Sequence, residues 1–175
     1  MHIQKGADNF DQAGLAQGYI RAYYDSLDAL KIARWIENCS NGEGLFWALA
    51  FLRLQLLPQV RLTAGSSCVV LLDCRTMGTL TGSRSAVAAG RIPVESTACK
   101  LAESWMPLGV MTNSAAVTFA SWVDNYYTFG SSVPNAVAIA ESFENELLKE
   151  WHLKIKPSSP SVIGPDPQSL EKFAL

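Results

Sequence analysis

Metal-ligating and nucleophilic side chains are scarce in this chain of 175 residues. Its two histidines are His2 and His152, and its four cysteines, Cys39, Cys68, Cys74 and Cys99, form no C-x-x-C pair. Zinc-site spacing is therefore absent. A Ser-His-Asp arrangement would have to draw on His2 at the start of the chain or on His152 between two predicted elements, and nothing in the sequence supports it. The cysteines read as reduced, mostly buried thiols of a reducing compartment. A G-x-x-x-x-G-K-[ST] phosphate loop is missing. Charge of one sign is missing as well: 14 Lys and Arg against 16 Asp and Glu leave a net charge of −2. No global basic field is available to hold nucleic acid, so any such contact needs a local patch. The opening MHIQKGADNFDQ has no apolar core of a signal peptide. The longest apolar run, Leu45 to Leu57, carries Arg53 and Gln55 and falls short of the ~20 residues that span a bilayer. The expectation is a soluble intracellular protein, cytoplasmic or nuclear, with no membrane contact.

What the chain does have is 49% hydrophobic residues, enough to bury the core of one domain. The most sharply patterned stretch runs from Phe119 to Pro157. In FASWVDNYYTFG, apolar residues alternate with small or polar ones, break at Asp124-Asn125 and resume, which predicts a β-hairpin with a carboxylate at its tip. SSVPNAVAIAESFENELLKEW places Val133, Val137, Ala140, Phe143, Leu147 and Trp151 at helical spacings, with Ser132 to cap and Pro134 in the first turn. That predicts an amphipathic helix of about five turns. HLKIKP alternates again and ends at a proline, so a strand is expected over His152 to Lys156.

Upstream, Gly18 to Tyr24 is rich in β-formers, and Asp25-Ser26 is placed to cap a helix over Leu27 to Asn38. The turn Asn41-Gly42 ends that helix. A second one, Gly44 to Leu57, is apolar nearly all round, which predicts burial between other elements. Val60 to Leu72 reads as a hairpin turning at Ala64-Gly65-Ser66. RTMGTLTGSR is a glycine-bearing turn, followed by helical pieces at Ala86 to Ala89 and Ser96 to Trp105 with a break near Arg91-Ile92-Pro93. From Pro157 to Pro167, prolines and serines predict a linker.

Three of these features carry possible chemistry. Asp124 at a hairpin tip is either a metal-binding carboxylate or a residue chosen for turn geometry. The turn Gly78 to Arg84 is either an anion cradle or an ordinary glycine turn before a helix. Trp122, Tyr126, Tyr127 and Phe129 either stack bases or fill core and sheet surface. Glu141, Glu144, Glu146 and Glu150 read as a solvated helix face, with Lys149 paired locally.

Taken together and in this order, the segments resemble the palm of a retroelement reverse transcriptase, an RNA-directed DNA polymerase. FASWVDNYYTFGSS resembles that family's Y-x-D-D hairpin, and FENELLKEWHLKIKPSS the helix, turn and strand that follow it. VRLTAGSSCVVLLDC and RTMGTLTGSR resemble the strand pair and the G-x-P-Q-G-S-P turn before the template-side helix. IRAYYDSLDALKIARWI resembles the strand and helix that supply the first catalytic carboxylate. The resemblance covers Gly18 to Ser159, most of the chain.

The resemblance implies an α/β (α+β) fold with an antiparallel palm-type sheet backed by helices over 18–159. An irregular segment 1–17 and a flexible tail 160–175 flank it. It also implies template-directed deoxynucleotidyl transfer with Mg²⁺, acting on an RNA or DNA template-primer and a deoxynucleotide, with fingers and thumb segments supplied elsewhere. By residue, it implies Asp124 as catalytic metal ligand with Asn125 beside it, and Gly82, Ser83 and Arg84 as the turn facing template or nucleotide. The departures are specific. Tyr19 stands where the family carries its first metal-binding Asp, Asn125 replaces the second Asp of the hairpin, and Thr81 and Arg84 replace the usual glutamine and proline. Ser159 falls near the expected lysine, and Lys156 is close but not in register. Asp25 would lie roughly 20 Å from Tyr19 in an extended chain, and Asp8, Asp11 and Asp73 are the other acidic stand-ins. The expectation is a palm fragment, impaired or inactive alone. The alternative is a non-catalytic α/β binding or interaction module in which Asp124 is only a turn residue.

Overall fold

A computed structural model describes residues 12–21, 23–39, 42–56, 59–64, 67–72, 78 and 84–165. The chain divides into two compact units, one of Met1–Arg21 with Pro93–Leu175 and one of Ala22–Ile92. In the first unit a four-stranded sheet has the order β6-β7-β1-β8. Strand β1 is Gly14–Tyr19, β6 is Phe119–Trp122, β7 is Asn125–Gly130 and β8 is Ser161–Ile163, and all neighbouring pairs are antiparallel. Helix α4, Val133–Trp151, covers one face, and a two-stranded pair, β4 (Val110–Met111) and β5 (Ala116–Val117), lies in the same unit.

Helix α4 begins as its sequence predicts. The Ser132 side chain accepts from the Asn135 amide and Pro134 sits in the first turn. Its buried residues are Val133, Ala136, Ile139, Ala140, Phe143, Leu147 and Trp151. The stripe therefore includes Ala136 and Ile139 in place of the expected Val137. At its end His152 takes the left-handed conformation, φ 57°, and its N–H donates to the Leu148 carbonyl. Above the sheet, Trp105 stacks on Phe119, and Phe143 contacts Trp105, Phe119 and Tyr126. The Trp105 indole N–H donates to Ser142 Oγ at 2.8 Å.

Glycines let α4 reach the sheet backbone. Gly14 pairs with Gly130 across β1 and β7. A Cβ at Gly130 would lie 2.2 Å from the Ala136 amide nitrogen, and one at Gly14 would lie 2.4 Å from Val133 Cα. Between them Thr128, fully buried, donates to the Ala136 carbonyl at 2.8 Å.

The second unit holds α1 (Ala29–Cys39), α2 (Gly44–Leu56) and the hairpin of β2 (Gln59–Ala64) with β3 (Ser67–Leu72), close to the predicted bounds. The cap of α1 is Asp28, whose Oδ1 accepts from the Lys31 amide at 3.0 Å, not Asp25-Ser26, which form a 3-10 turn at Tyr24–Ser26. Helix α2 buries Ala48 and Phe51 but exposes Leu45, Phe46, Trp47, Leu49 and Leu54. The expected enclosure of this helix is not found.

Other expectations are corrected too. The two helical pieces around Pro93 are one helix, α3, Arg84–Trp105. Pro93 removes one amide donor, but Ala86 and Ala89 before it and Val94 and Thr97 after it are all buried, and that packing offsets the break. The first strand begins at Gly14, inside the segment expected to be irregular. The predicted strand 152–156 makes a single bridge, Ile155 to Ile20, and regular pairing resumes at Ser161–Ile163, within the expected tail. Pro157 and Pro160 cannot donate to a ladder, so pairing along β1 is interrupted between them. Cys39 and Cys99 are exposed, against the expectation of mostly buried thiols. The side chains of Cys68 and Cys74 lie outside the described residues.

Two substitutions test this packing by urea denaturation. Gly130→Ala is expected to lower stability by about 3 kcal/mol, because backbone and not a flexible side chain stands in the way of the new methyl. His152→Gly is expected to raise it by about 1 kcal/mol through relief of the left-handed conformation, moving the midpoint without changing the slope.

Candidate functional site

The tip of the β6–β7 hairpin meets the end of β1. Trp122 pairs with Asn125, Asn125 pairs with Tyr19, and the Ile20 amide donates to the Asp124 carbonyl at 2.9 Å. On the far side of β1, the Lys156 amide donates to the Tyr19 carbonyl and the Arg21 amide to the Lys154 carbonyl, both at 2.7 Å, flanking the Ile20–Ile155 bridge. The Tyr19 amide donates to Ser159 Oγ at 3.0 Å.

Alternation sorts these side chains by face. Gly18, Ile20 and Tyr126 are buried on the α4 side. One rung of the opposite, open face therefore carries Trp122, Asn125, Tyr19 and Lys156, with Arg21 and Lys154 beyond it. Trp122 is 74% exposed and Tyr19 39% exposed. The next rungs bring Ala120, Tyr127, Gln17 and Ser161, then Phe129, Leu15 and Ile163. The last rung joins Val110 and Val117 around an open apolar pocket of about 430 Å³. The aromatic group seen in the sequence thus splits, with Tyr126 going inward and Trp122, Tyr127 and Phe129 outward.

The turn itself is Val123-Asp124, one residue earlier than the expected break, and Asn125 is the first residue of β7. Val123 has φ 57°. A β-branched residue is a poor fit to the left-handed region, and such strain costs roughly 1–3 kcal/mol and is concentrated at functional sites. Asn125 Oδ1 is buried with no hydrogen-bond partner among the described residues.

Beneath the tip, the Tyr126 hydroxyl donates to the Glu144 carboxylate of α4. Gly18 makes the room, since a Cβ there would lie 2.4 Å from the Tyr126 hydroxyl oxygen. Burial pushes the Glu144 carboxyl above the usual range and repulsion from Glu141 adds to it, while the bond from Tyr126 works against the shift. Burial, and then the Glu144 carboxylate, hold the Tyr126 phenol well above its ordinary value. Glu144 is accordingly not on the solvated face expected of it. Glu150 is, whereas Glu146 keeps only 14% of its side chain exposed; both engage Lys100 of α3, at 3.2 and 2.5 Å respectively. Lys149 is 4.0 Å from Glu146.

The donor set at the tip does not match a two-ion centre. Asp124 is its one carboxylate, the strand opposite offers the Tyr19 phenol, and no cluster of three His, Cys, Asp or Glu occurs among the described residues. Asp25 lies in the 3-10 turn of the other unit, and Asp8, Asp11 and Asp73 lie outside the described residues. Gly82 and Ser83 also lie outside them, and Arg84 opens α3 in the other unit. The β1–β7 register sets Asn125 opposite Tyr19, with Asp124 in the turn beside them. Arg21 joins Lys154 and Lys156 on one face through the Ile20–Ile155 bridge, a register that alternation within HLKIKP or GYIRA does not reveal.

No family model matches the sequence, and no curated protein matches it. Among solved structures the fold is similar to that of telomerase from Candida albicans, determined in complex with the TWJ fragment of telomeric RNA. The TM-score is 0.54 at 10% sequence identity, over 92% of this chain and 29% of that one. The chain thus spans less than a third of the telomerase it matches, and what is shared is an α+β fold with an antiparallel four-stranded sheet packed against helices. Among the described residues no helix is long and apolar enough to cross a membrane.

Two measurements probe the hairpin and what supports it. Val123→Gly is expected to stabilise the fold by about 1 kcal/mol in urea titrations. For Glu144, the raised carboxyl pKa means that the folded chain holds more protons than the unfolded chain just above the ordinary carboxylate range. Stability contributed by this group is present below that range and is lost as pH rises through the raised value. In Glu144→Gln the urea midpoint should fall less between about pH 4 and 7 than in the parent chain.

Proposed function

We propose that this chain is a reverse-transcriptase-type palm of retroelement origin that holds nucleic acid and does not polymerise deoxynucleotides by itself. The observation that carries the reading is the β1–β7 register. It sets the strand bearing Tyr19 directly against the hairpin bearing Asp124 and Asn125, in the order the sequence resemblance implies. The telomerase of similar fold was solved with an RNA fragment, and that likeness supports a nucleic-acid partner for this chain. The turn Gly82, Ser83 and Arg84 is proposed to face template or nucleotide.

In the ancestral reaction a primer 3′-hydroxyl attacks the α-phosphorus of a deoxynucleotide, and a pair of Mg²⁺ ions supplies charge stabilisation at the attacking and leaving oxygens. Hard divalent ions take oxygen ligands, and two ions require at least two converging carboxylates. Asp124 offers one. The Asn125 amide oxygen is a neutral donor, and a Tyr19 phenol brings neither charge nor bidentate geometry. The residues at the tip suit, at most, a single weakly held ion and not the pair, so no transfer step is assigned to them.

Primer extension on an RNA or DNA template with Mg²⁺ or Mn²⁺ checks this. The expected outcome is no product from the intact chain. Robust synthesis that disappears in Asp124→Ala would overturn the reading. In Tyr19→Asp, Mn²⁺ titrated by calorimetry should bind at least about tenfold more tightly than to the parent chain, since a second anionic oxygen then faces the tip.

A further inference from the structure

We infer that the open face of the sheet binds single-stranded nucleic acid, with bases stacked on Trp122 and Tyr19 and phosphates neutralised by Arg21, Lys154 and Lys156. This deepens the reading of the chain as a nucleic-acid-holding palm and rests on it. The argument starts from one rung. Trp122, Asn125, Tyr19 and Lys156 stand side by side across four neighbouring backbone segments. Adjacent strands are ~4.8 Å apart, so the Trp122 and Tyr19 rings rise from backbones about 10 Å apart on the same face. Both rings are exposed, at 74% and 39%, and neither makes a ring contact among the described residues.

Between them stands Asn125, half-buried, whose Oδ1 has no hydrogen-bond partner among the described residues. Tyr127 stands half-buried one rung further on.

Charge points to the same ligand. Arg21, Lys154 and Lys156 are exposed, Lys156 at the end of the same rung and Arg21 and Lys154 on the next, and make no ion pair among the described residues. A tyrosine at position 19 in place of an acid removes a negative charge from the middle of this surface and adds a ring to it. Bases of a single strand present free faces to such rings, whereas a duplex keeps its faces stacked internally. The surface is therefore built for unpaired bases.

Fluorescence anisotropy of the intact chain with labelled mixed-sequence single strands of about 15 nucleotides, RNA and DNA separately, and with the corresponding duplex, tests this. At least one single strand should bind more tightly than the duplex, and the tighter of the two identifies the natural ligand. Trp122→Ala and Tyr19→Ala should each weaken it roughly five- to a hundred-fold, with Trp122→Phe retaining most of the affinity. The logarithmic salt slope should be about −2 and become shallower by about 0.7 in Lys154→Gln and again in Lys156→Gln. All these side chains are exposed, so circular dichroism should show each variant folded.

Binding of the duplex but of neither single strand sinks the stacking proposal and leaves the palm reading standing. Absence of all nucleic-acid binding sinks both. Single-strand affinity unchanged in Trp122→Ala and Tyr19→Ala also overturns the proposal.

Discussion

Helix α4 rests directly on the backbones of β1 and β7 because Gly14 and Gly130 stand opposite one another and neither carries a Cβ. That contact admits one register. A slip of one residue would turn Gly18, Ile20, Tyr126 and Thr128 to the open side and drive Tyr19 and Tyr127 into the helix. The Thr128 hydroxyl on the Ala136 carbonyl and the Tyr126 hydroxyl on Glu144 then tie β7 to α4 at two further points. The hairpin tip, and everything offered on the open face, inherits its position from this pairing.

The register also decides what the tip can do. It sets a phenol against an amide, next to one carboxylate held in a turn whose first residue is strained. Strain of a kilocalorie or more at Val123 is small beside the stability of a domain, yet it is not needed for a hairpin, since glycine would supply the same turn without it. Three exposed cations, Arg21, Lys154 and Lys156, gather along the edge where β1 meets the 154–156 segment. A chain with a net charge of −2 can thus carry a basic surface that its composition conceals.

Elements with strong local signals were legible from residues alone. Helix α4 announced itself by period, cap and proline, and the β2–β3 and β6–β7 hairpins by alternation around turn residues. Signals that depend on partners misled. Pro93 reads as a break, but residues buried on both sides of it hold α3 together. Helix α2 reads as enclosed because it is apolar all round, and Phe46, Trp47 and Leu54 are nevertheless exposed. Prolines at 157 and 160 read as the start of a linker, whereas the chain merely skips the positions where it cannot donate and rejoins β1 at Ser161. Glu144 reads as a solvated acid because its partner, Tyr126, is 18 residues away on another element.

Residue order and local periodicity were therefore enough to find α1, α2, α4 and the β2–β3 and β6–β7 hairpins and to bring Asp124 to a hairpin tip, but not to place the first and last strands of the sheet. Which residues look at one another is a property of the sheet. The alternation of HLKIKP says that Lys154 and Lys156 share a face, but only the Ile20–Ile155 bridge says that this is the face of Tyr19 and Trp122. Side-chain period is local and can be counted along the chain, whereas register is a contact between segments more than a hundred residues apart, set here by the close approach that two glycines allow.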